Sequence, residues 1–129
     1  MKALILTYDK QFGLAQLVIK KYHNFGIECL DFFVPINDED TSRFFDFSKK
    51  ITCIKSESDI LSTMRNLIDQ CDDNEWIYWS IDDRFPVGVN LTLFDKVFNS
   101  IISGQFDFAQ GVKLINWRED LLNETSSSW

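Results

Sequence analysis

The chain alternates short apolar runs with stretches of helical periodicity. The apolar runs are typical of strands covered on both faces, and they fall at 3–8, 27–34, 51–54, 76–81 and 106–115. Apolar residues at helical spacing lie between them, over 11–25, 60–71 and 91–102. This order predicts an α/β fold, in which helices cover a mostly parallel sheet and form a three-layer α/β/α sandwich.

Length and charge exclude several classes of protein. A chain of 129 residues, 45% of them hydrophobic, predicts one domain with an ordinary core. The net charge of −7 argues against a general affinity for nucleic acid, because phosphates need a basic surface. No apolar run approaches the roughly 20 residues of a membrane span, and the apolar start is too short for a signal peptide. We therefore expect a cytoplasmic protein without nucleic-acid or membrane partners.

The cysteines and the histidine give little support for a metal or nucleophile site. Cys29, Cys53 and Cys71 form no CxxC pair and fall in apolar segments, so we expect buried, reduced thiols. His23 is the only histidine and lies on the polar side of a predicted helix end. A zinc site would need a denser cluster of these residue types.

Aromatic residues are expected to pack in the core. Trp76 and Trp79 are three residues apart on a predicted strand, so they face opposite sides of the sheet. Phe44, Phe45 and Phe47 lie in a polar segment after the second strand, and we expect them to fold back over the sheet edge. The alternative for these phenylalanines is a surface that binds a partner.

Polar residues at the ends of the predicted strands are the main chemical signal. In open α/β sheets, ligands bind at the carboxyl ends of strands where the strand order reverses. Asp82 and Asp83 directly follow an apolar strand, and their adjacent carboxylates repel each other. Mg²⁺ or Mn²⁺ would remove that repulsion, since both prefer oxygen ligands and often share them with phosphates. The alternative is that the pair caps the following turn.

Three short motifs occur in a recognisable order. Thr7-Tyr8 follows the first strand, Arg65-Asn66 lies on the helix before the fourth strand, and Asp82-Asp83 comes sixteen residues after Asn66. Over residues 3–115 this series resembles the nucleotide-binding half of a GT-A glycosyltransferase, closest to family 2. The resemblance implies the Rossmann-like nucleotide-diphospho-sugar transferase fold.

The resemblance also implies a set of nucleotide-binding residues, namely Thr7, Tyr8, Asp9, Asp38, Lys55, Arg65 and Asp82. Thr7 and Tyr8 would line the base and ribose pocket, and Lys55 or Arg65 would approach the nucleotide. In the family, the Asp that contacts the base usually ends the second strand, and Asp38 is the loop residue nearest to that place. In this chain Val34-Pro35 stands at that strand end.

The acidic motif would reach the metal and the diphosphate. By the resemblance, Asp82 and Asp83 bind Mn²⁺ or Mg²⁺, and the ion stabilises the diphosphate as a leaving group. Arg84 and Phe85 stand where family members often carry a third acidic residue. Arg84 is therefore a candidate for bidentate phosphate binding.

The function implied is transfer of a sugar from a UDP- or GDP-sugar to an unknown acceptor. Residues 1–120 would form the nucleotide-sugar-binding domain, with a flexible tail at 121–129. Catalytic residues stay unassigned, because the family's base and acceptor segments lie beyond the fifth strand, where Glu119 and Asp120 are the candidates. Since little chain remains for an acceptor half, the alternative is a non-catalytic α/β module that binds a nucleotide or a partner protein.

Overall fold

The computed structural model describes residues 1–84 and 86–104. Its strands are β1 Lys2–Leu6, β2 Asp31–Ile36, β3 Ile51–Lys55 and β4 Ile77–Ile81. Its α-helices are α1 Phe12–Asn24, α2 Ile60–Ile68 and α3 Leu91–Ile102. Two 3₁₀ segments, Asp9–Gln11 and Glu39–Phe45, follow β1 and β2. The predicted fifth strand at 106–115 and the predicted tail at 121–129 lie outside the described residues.

The four strands form one parallel sheet in the order β3-β2-β1-β4. β1 is central and pairs on both edges, so that Ala3 lies opposite Phe32 on β2 and opposite Tyr78 on β4. The chain adds β2 and β3 on one side of β1 and then crosses to add β4 on the other side. The predicted α/β class with a parallel sheet is confirmed.

One face of the sheet carries the main core. Side chains alternate along a strand, so Ala3 and Ile5 of β1 face the same way as Phe32 of β2, and all three are fully buried. α1 covers this face with Ala15, Val18, Ile19 and Tyr22. α3 lies on the same side, because its Phe94 and Phe98 pack against the same cluster.

The turn after α1 fits closely against α3. Gly26 has φ +80°, a conformation that residues with a side chain rarely adopt. A Cβ at this position would lie 3.5 Å from Leu91 Cδ1, so α3 begins beside the end of α1. The positive φ therefore favours glycine at the end of α1, whereas a Cβ there would make only an ordinary van der Waals contact with Leu91.

α2 covers the opposite face and packs mainly over β1, β2 and β3. Leu67 of α2 and Leu4 of β1 are both fully buried. The helix begins at Asp59, whose carboxylate accepts the Ser62 amide at 2.8 Å. That hydrogen bond lowers the pKa of the Asp59 carboxyl.

The expectation that Trp79 packs in the core is wrong. Its side chain is 38% exposed, because it lies on the α2 face of β4, beyond the strands that α2 mainly covers.

The expectation that the phenylalanines after β2 fold back over the sheet is largely met. Phe45 is buried, and Phe44 stacks on Phe12 at 4.2 Å between ring centroids. Phe47 stays exposed beneath the Lys20 ammonium.

Element boundaries differ most around β2. The strand begins at Asp31 and continues through Pro35, although proline was expected to end it. The pairing of β2 with β1 ends where Leu4 lies opposite Phe33. Pro35 comes after that point, so its missing N–H interrupts no hydrogen-bonded pair between these two strands.

Within the described ranges, no helix is both long and apolar enough to span a bilayer.

Two adjacent residues of α2 test which side of this helix packs against the sheet. Leu67→Ala removes a fully buried side chain and should destabilise the fold by about 2–5 kcal/mol. Ile68→Ala alters a side chain that is 49% exposed and should cost less than about 1 kcal/mol. Urea unfolding followed by circular dichroism measures both, and equal losses would contradict the assigned face of α2.

Candidate functional site

The carboxyl ends of β1 and β4 lie side by side at the point where the strand order reverses. The Thr7 hydroxyl donates a hydrogen bond of 2.7 Å to Asp82 Oδ2, and both residues are buried. The Asp82 amide also donates to the Leu6 carbonyl at 3.3 Å. The two strand ends are therefore joined through a side chain and through the backbone.

A shallow pocket of about 190 Å³ opens beside this contact. Its walls come from the ends of β1 and β4 and from the start of α2, and its lining residues are Leu6, Thr7, Tyr8, Ser58, Ile60, Thr63, Ile81 and Asp82. Asp82 Oδ1 receives no hydrogen bond from the described residues, whereas Oδ2 is engaged by Thr7. The pocket thus combines apolar walls with a carboxylate, that of Asp82, of which only one oxygen is engaged by the described residues.

Asp83 and Arg84 lie in the turn after β4, and both are exposed. The turn is closed by the Arg84 amide, which donates to the Ile81 carbonyl at 3.1 Å. The described part of the chain holds no group of three or more His, Cys, Asp or Glu side chains that could bind a metal ion.

Asp9 is part of a separate polar network that joins the ends of β1 and β2. Its Oδ1 accepts the Asn37 amide at 2.6 Å, and its Oδ2 accepts the Asp38 amide at 2.7 Å and the Thr41 hydroxyl at 2.8 Å. Partial burial alone would raise the pKa of this carboxyl, but the three hydrogen bonds outweigh it and hold the pKa below its usual value. Both Asp9 oxygens are thus engaged within the protein.

Asn37 extends this network to β3. Its side chain accepts the Asp9 amide at 3.2 Å and donates to the Ser56 carbonyl at 3.2 Å, and its own carbonyl accepts the Lys55 ammonium. Asp38 caps the 3₁₀ segment by accepting the Asp40 amide at 3.0 Å. Of the predicted nucleotide-binding residues, Asp9, Asp38 and Lys55 therefore meet each other in this network.

Arg65 lies apart from both groups. It is exposed on α2 and does not line the pocket. Its neighbour Asn66 turns inward and donates to the Ser56 hydroxyl at 3.0 Å. The structure thus divides the predicted residues into the pocket group Thr7, Tyr8 and Asp82, the network group Asp9, Asp38 and Lys55, and the isolated Arg65.

Asn37 immediately follows β2, so it lies at one of the strand ends to which the rule for open α/β sheets directs attention. The start of α2 was not predicted to contribute to the site. Ser58, Ile60 and Thr63 line the pocket only because α2 crosses the sheet from β3 to β4. No local pattern in the sequence shows that the start of α2 lies beside the ends of β1 and β4.

The cysteines and the histidine lie outside both groups. Cys29, Cys53 and Cys71 are free thiols, and burial raises the pKa of each of them, so they are poor nucleophiles. His23 packs edge-on against Phe32 at 5.8 Å between ring centroids. Burial, with a smaller contribution from Lys50, lowers the pKa of its imidazole.

Comparisons of the chain with protein-family models, with curated proteins and with solved structures gave no significant match.

The Asp9 network predicts that the parent chain and the variant Asp9→Asn differ in stability by an amount that depends on pH. Asp9→Asn replaces one acceptor oxygen by a donor that faces backbone or hydroxyl donors, and it should cost about 1–3 kcal/mol at pH 7. The folded-state pKa of Asp9 is lowered, so its contribution is complete above the unfolded value of about 3.9 and is lost as the pH falls below it. Urea unfolding at pH 7 and near pH 3 should show the variant and the parent converging in acid. A constant difference would contradict this role.

Proposed function

We propose that the protein binds a nucleotide-diphospho-sugar at the carboxyl ends of β1 and β4 and acts as a glycosyltransferase-like protein toward an unknown acceptor. The observation that carries the proposal is the Thr7–Asp82 hydrogen bond. It brings together the motif after the first strand and the motif after the fourth strand, which are 75 residues apart in the chain. It does so beside a pocket, where open α/β sheets bind their ligands.

The pocket chemistry suits the base and ribose of a nucleotide. The apolar side chains of Leu6, Ile60 and Ile81 offer walls for a flat ring, and Tyr8 adds an aromatic surface. Asp82 Oδ1 would accept a hydrogen bond from a ribose hydroxyl or a base N–H. Such a bond to a buried carboxylate is stronger than one between neutral groups.

The diphosphate would extend from this pocket toward Asp83 and Arg84. A divalent cation, Mn²⁺ or Mg²⁺, would be held by Asp83 with Asp82 and by the phosphates, and it would offset the charge that develops on the leaving diphosphate. Arg84 is exposed in the same turn and can approach a phosphate through its guanidinium. In this arrangement the network around Asp9 supports the loop after β2 rather than touching the ligand.

The second candidate function is nucleotide binding without transfer. It is favoured by the composition of the pocket, because Asp82 is the only carboxylate among its described lining residues and none of these is a histidine. The candidate bases Glu119 and Asp120 lie outside the described residues. Incubation with a donor and a panel of acceptors separates the two functions, because only a transferase releases nucleoside diphosphate in an acceptor-dependent manner.

Calorimetric titration with UDP-glucose and GDP-mannose in the presence of Mn²⁺ tests the binding site. We expect one of the two to bind, and Asp82→Asn to weaken it by about tenfold to a hundredfold, because a charge-assisted hydrogen bond and a metal ligand are lost. The asparagine keeps an oxygen that can accept the Thr7 hydroxyl, so the fold should be retained.

Asp73→Asn is the matched control. Asp73 also belongs to an adjacent acidic pair, but it lines a different hollow, before β4 rather than after it. This variant should bind with unchanged affinity. Absence of nucleotide binding by the folded parent chain, or equal losses in the two variants, would overturn the proposed site.

A further inference from the structure

β3 forms one edge of the sheet, and within the described residues no strand lies on its outer side. The backbone groups of a strand point alternately to its two sides. The Phe32 amide of β2 donates to the Lys50 carbonyl at 2.7 Å, just before β3 begins. The Ser56 amide, just after β3 ends, donates to the Ile36 carbonyl of β2 at 2.9 Å. The even-numbered residues of β3 therefore direct their backbone groups toward β2.

The odd-numbered residues of β3 direct their backbone groups away from the sheet. These residues are Ile51, Cys53 and Lys55. The Ile51 amide donates to the Ser48 carbonyl at 3.4 Å, whereas the amides and carbonyls of Cys53 and Lys55 make no hydrogen bond to the described residues. A row of unpaired groups of this kind is a template for pairing with another chain.

β3 lacks the features that usually prevent such pairing. Proteins protect their sheet edges with prolines, bulges and outward charges. β3 contains no proline, and its register with β2 runs without a bulge from Ile51 to Lys55. The ammonium groups of Lys50 and Lys55 are turned back onto the same chain, where they donate to the carbonyls of Glu28 and Asn37. The edge is therefore accessible to a further strand.

A second copy of β3 fits this edge in an antiparallel orientation. Hydrogen bonds form only where outward-pointing residues of the two copies lie opposite each other. The two-fold axis must then pass beside a residue and not between two residues. Of the possible positions, only an axis at Cys53 places every residue from Ile51 to Lys55 opposite a residue of the other strand.

The charges and the side chains agree with the same register. An axis at Cys53 places Lys49 opposite Glu57 of the second copy, and symmetry makes this pair occur twice. Both side chains are exposed, and opposite charges across two strands attract. The register also places Thr52 opposite Ile54, and β-branched side chains of this kind pack well across strands.

We propose that two copies of the chain pair through β3, antiparallel and about a two-fold axis at Cys53, so that their sheets join into one of eight strands. Lys49 of each copy lies opposite Glu57 of the other. Two five-residue edges bury little surface, so the dimer is weak and forms at high protein concentration. The contact is independent of the proposed nucleotide site, because β2 separates β3 from β1.

Sedimentation equilibrium of the full chain over a range of concentrations tests the proposal. The mass should rise from 15.1 kDa toward twice that value. Glu57→Lys and Lys49→Glu should each weaken the dimer about tenfold, since two attractive pairs become repulsive. The double variant, which exchanges the two charges, should recover the affinity of the parent.

Asp73→Lys is the matched control for charge. It makes the same change as Glu57→Lys, but before β4 on the other side of the sheet, and it should not weaken the dimer. A parent chain that stays monomeric at every concentration would overturn the proposal. A double variant that associates no better than the single variants would do so as well.

Amide hydrogen exchange followed by NMR identifies the strand that pairs. Exchange at Cys53 and Lys55 should slow as the protein concentration rises, because these amides gain partners only in the dimer. The amides of Thr52 and Ile54 face β2 and should change much less. Exchange at Cys53 and Lys55 that does not depend on concentration would overturn the proposal. If it were slow throughout, the edge would be assigned to another segment of the same chain.

Discussion

The two-sided pairing of β1 determines where the helices and the polar strand ends lie. β1 hydrogen-bonds to β2 on one edge and to β4 on the other, and its residues Ala3, Leu4 and Ile5 are fully buried. Because both of its faces must be covered, α1 and α2 have to lie on opposite sides of the sheet. Its carboxyl end then lies between the ends of β2 and β4, where the polar residues of three strands meet.

The polar residues at that end divide between structure and ligand binding. Asp9 has both carboxylate oxygens engaged by the loop after β2, and the loop is held further by the contact of Lys55 with the Asn37 carbonyl. Asp82 lines the pocket, and one of its oxygens is engaged by Thr7 while the other receives no hydrogen bond from the described residues. An oxygen that already accepts strong hydrogen bonds is a poor partner for a ligand, so the other oxygen of Asp82 is the better candidate for nucleotide binding.

Much of the fold could be predicted from the sequence, because strands and helices are recorded in local apolar periodicity. α3 begins and ends where its apolar pattern does, at Leu91–Ile102. The exposure of Trp79 and the passage of β2 through Pro35 could not be predicted, because both depend on which elements lie alongside. The same holds for the site: the Thr7–Asp82 contact depends on a strand order that no local pattern encodes.

The proposed function depends on the binding of a nucleotide at the carboxyl ends of β1 and β4. Backbone amide shifts in NMR spectra of the full chain, recorded during titration with UDP and Mg²⁺, test it most directly. We expect the largest changes at Thr7, Tyr8, Ser58 and Asp82, which line the pocket, with smaller changes around Asn37. Changes centred on α1 or on the hollow before β4 that Asp73 lines, or no changes at millimolar UDP, would contradict nucleotide binding at this place.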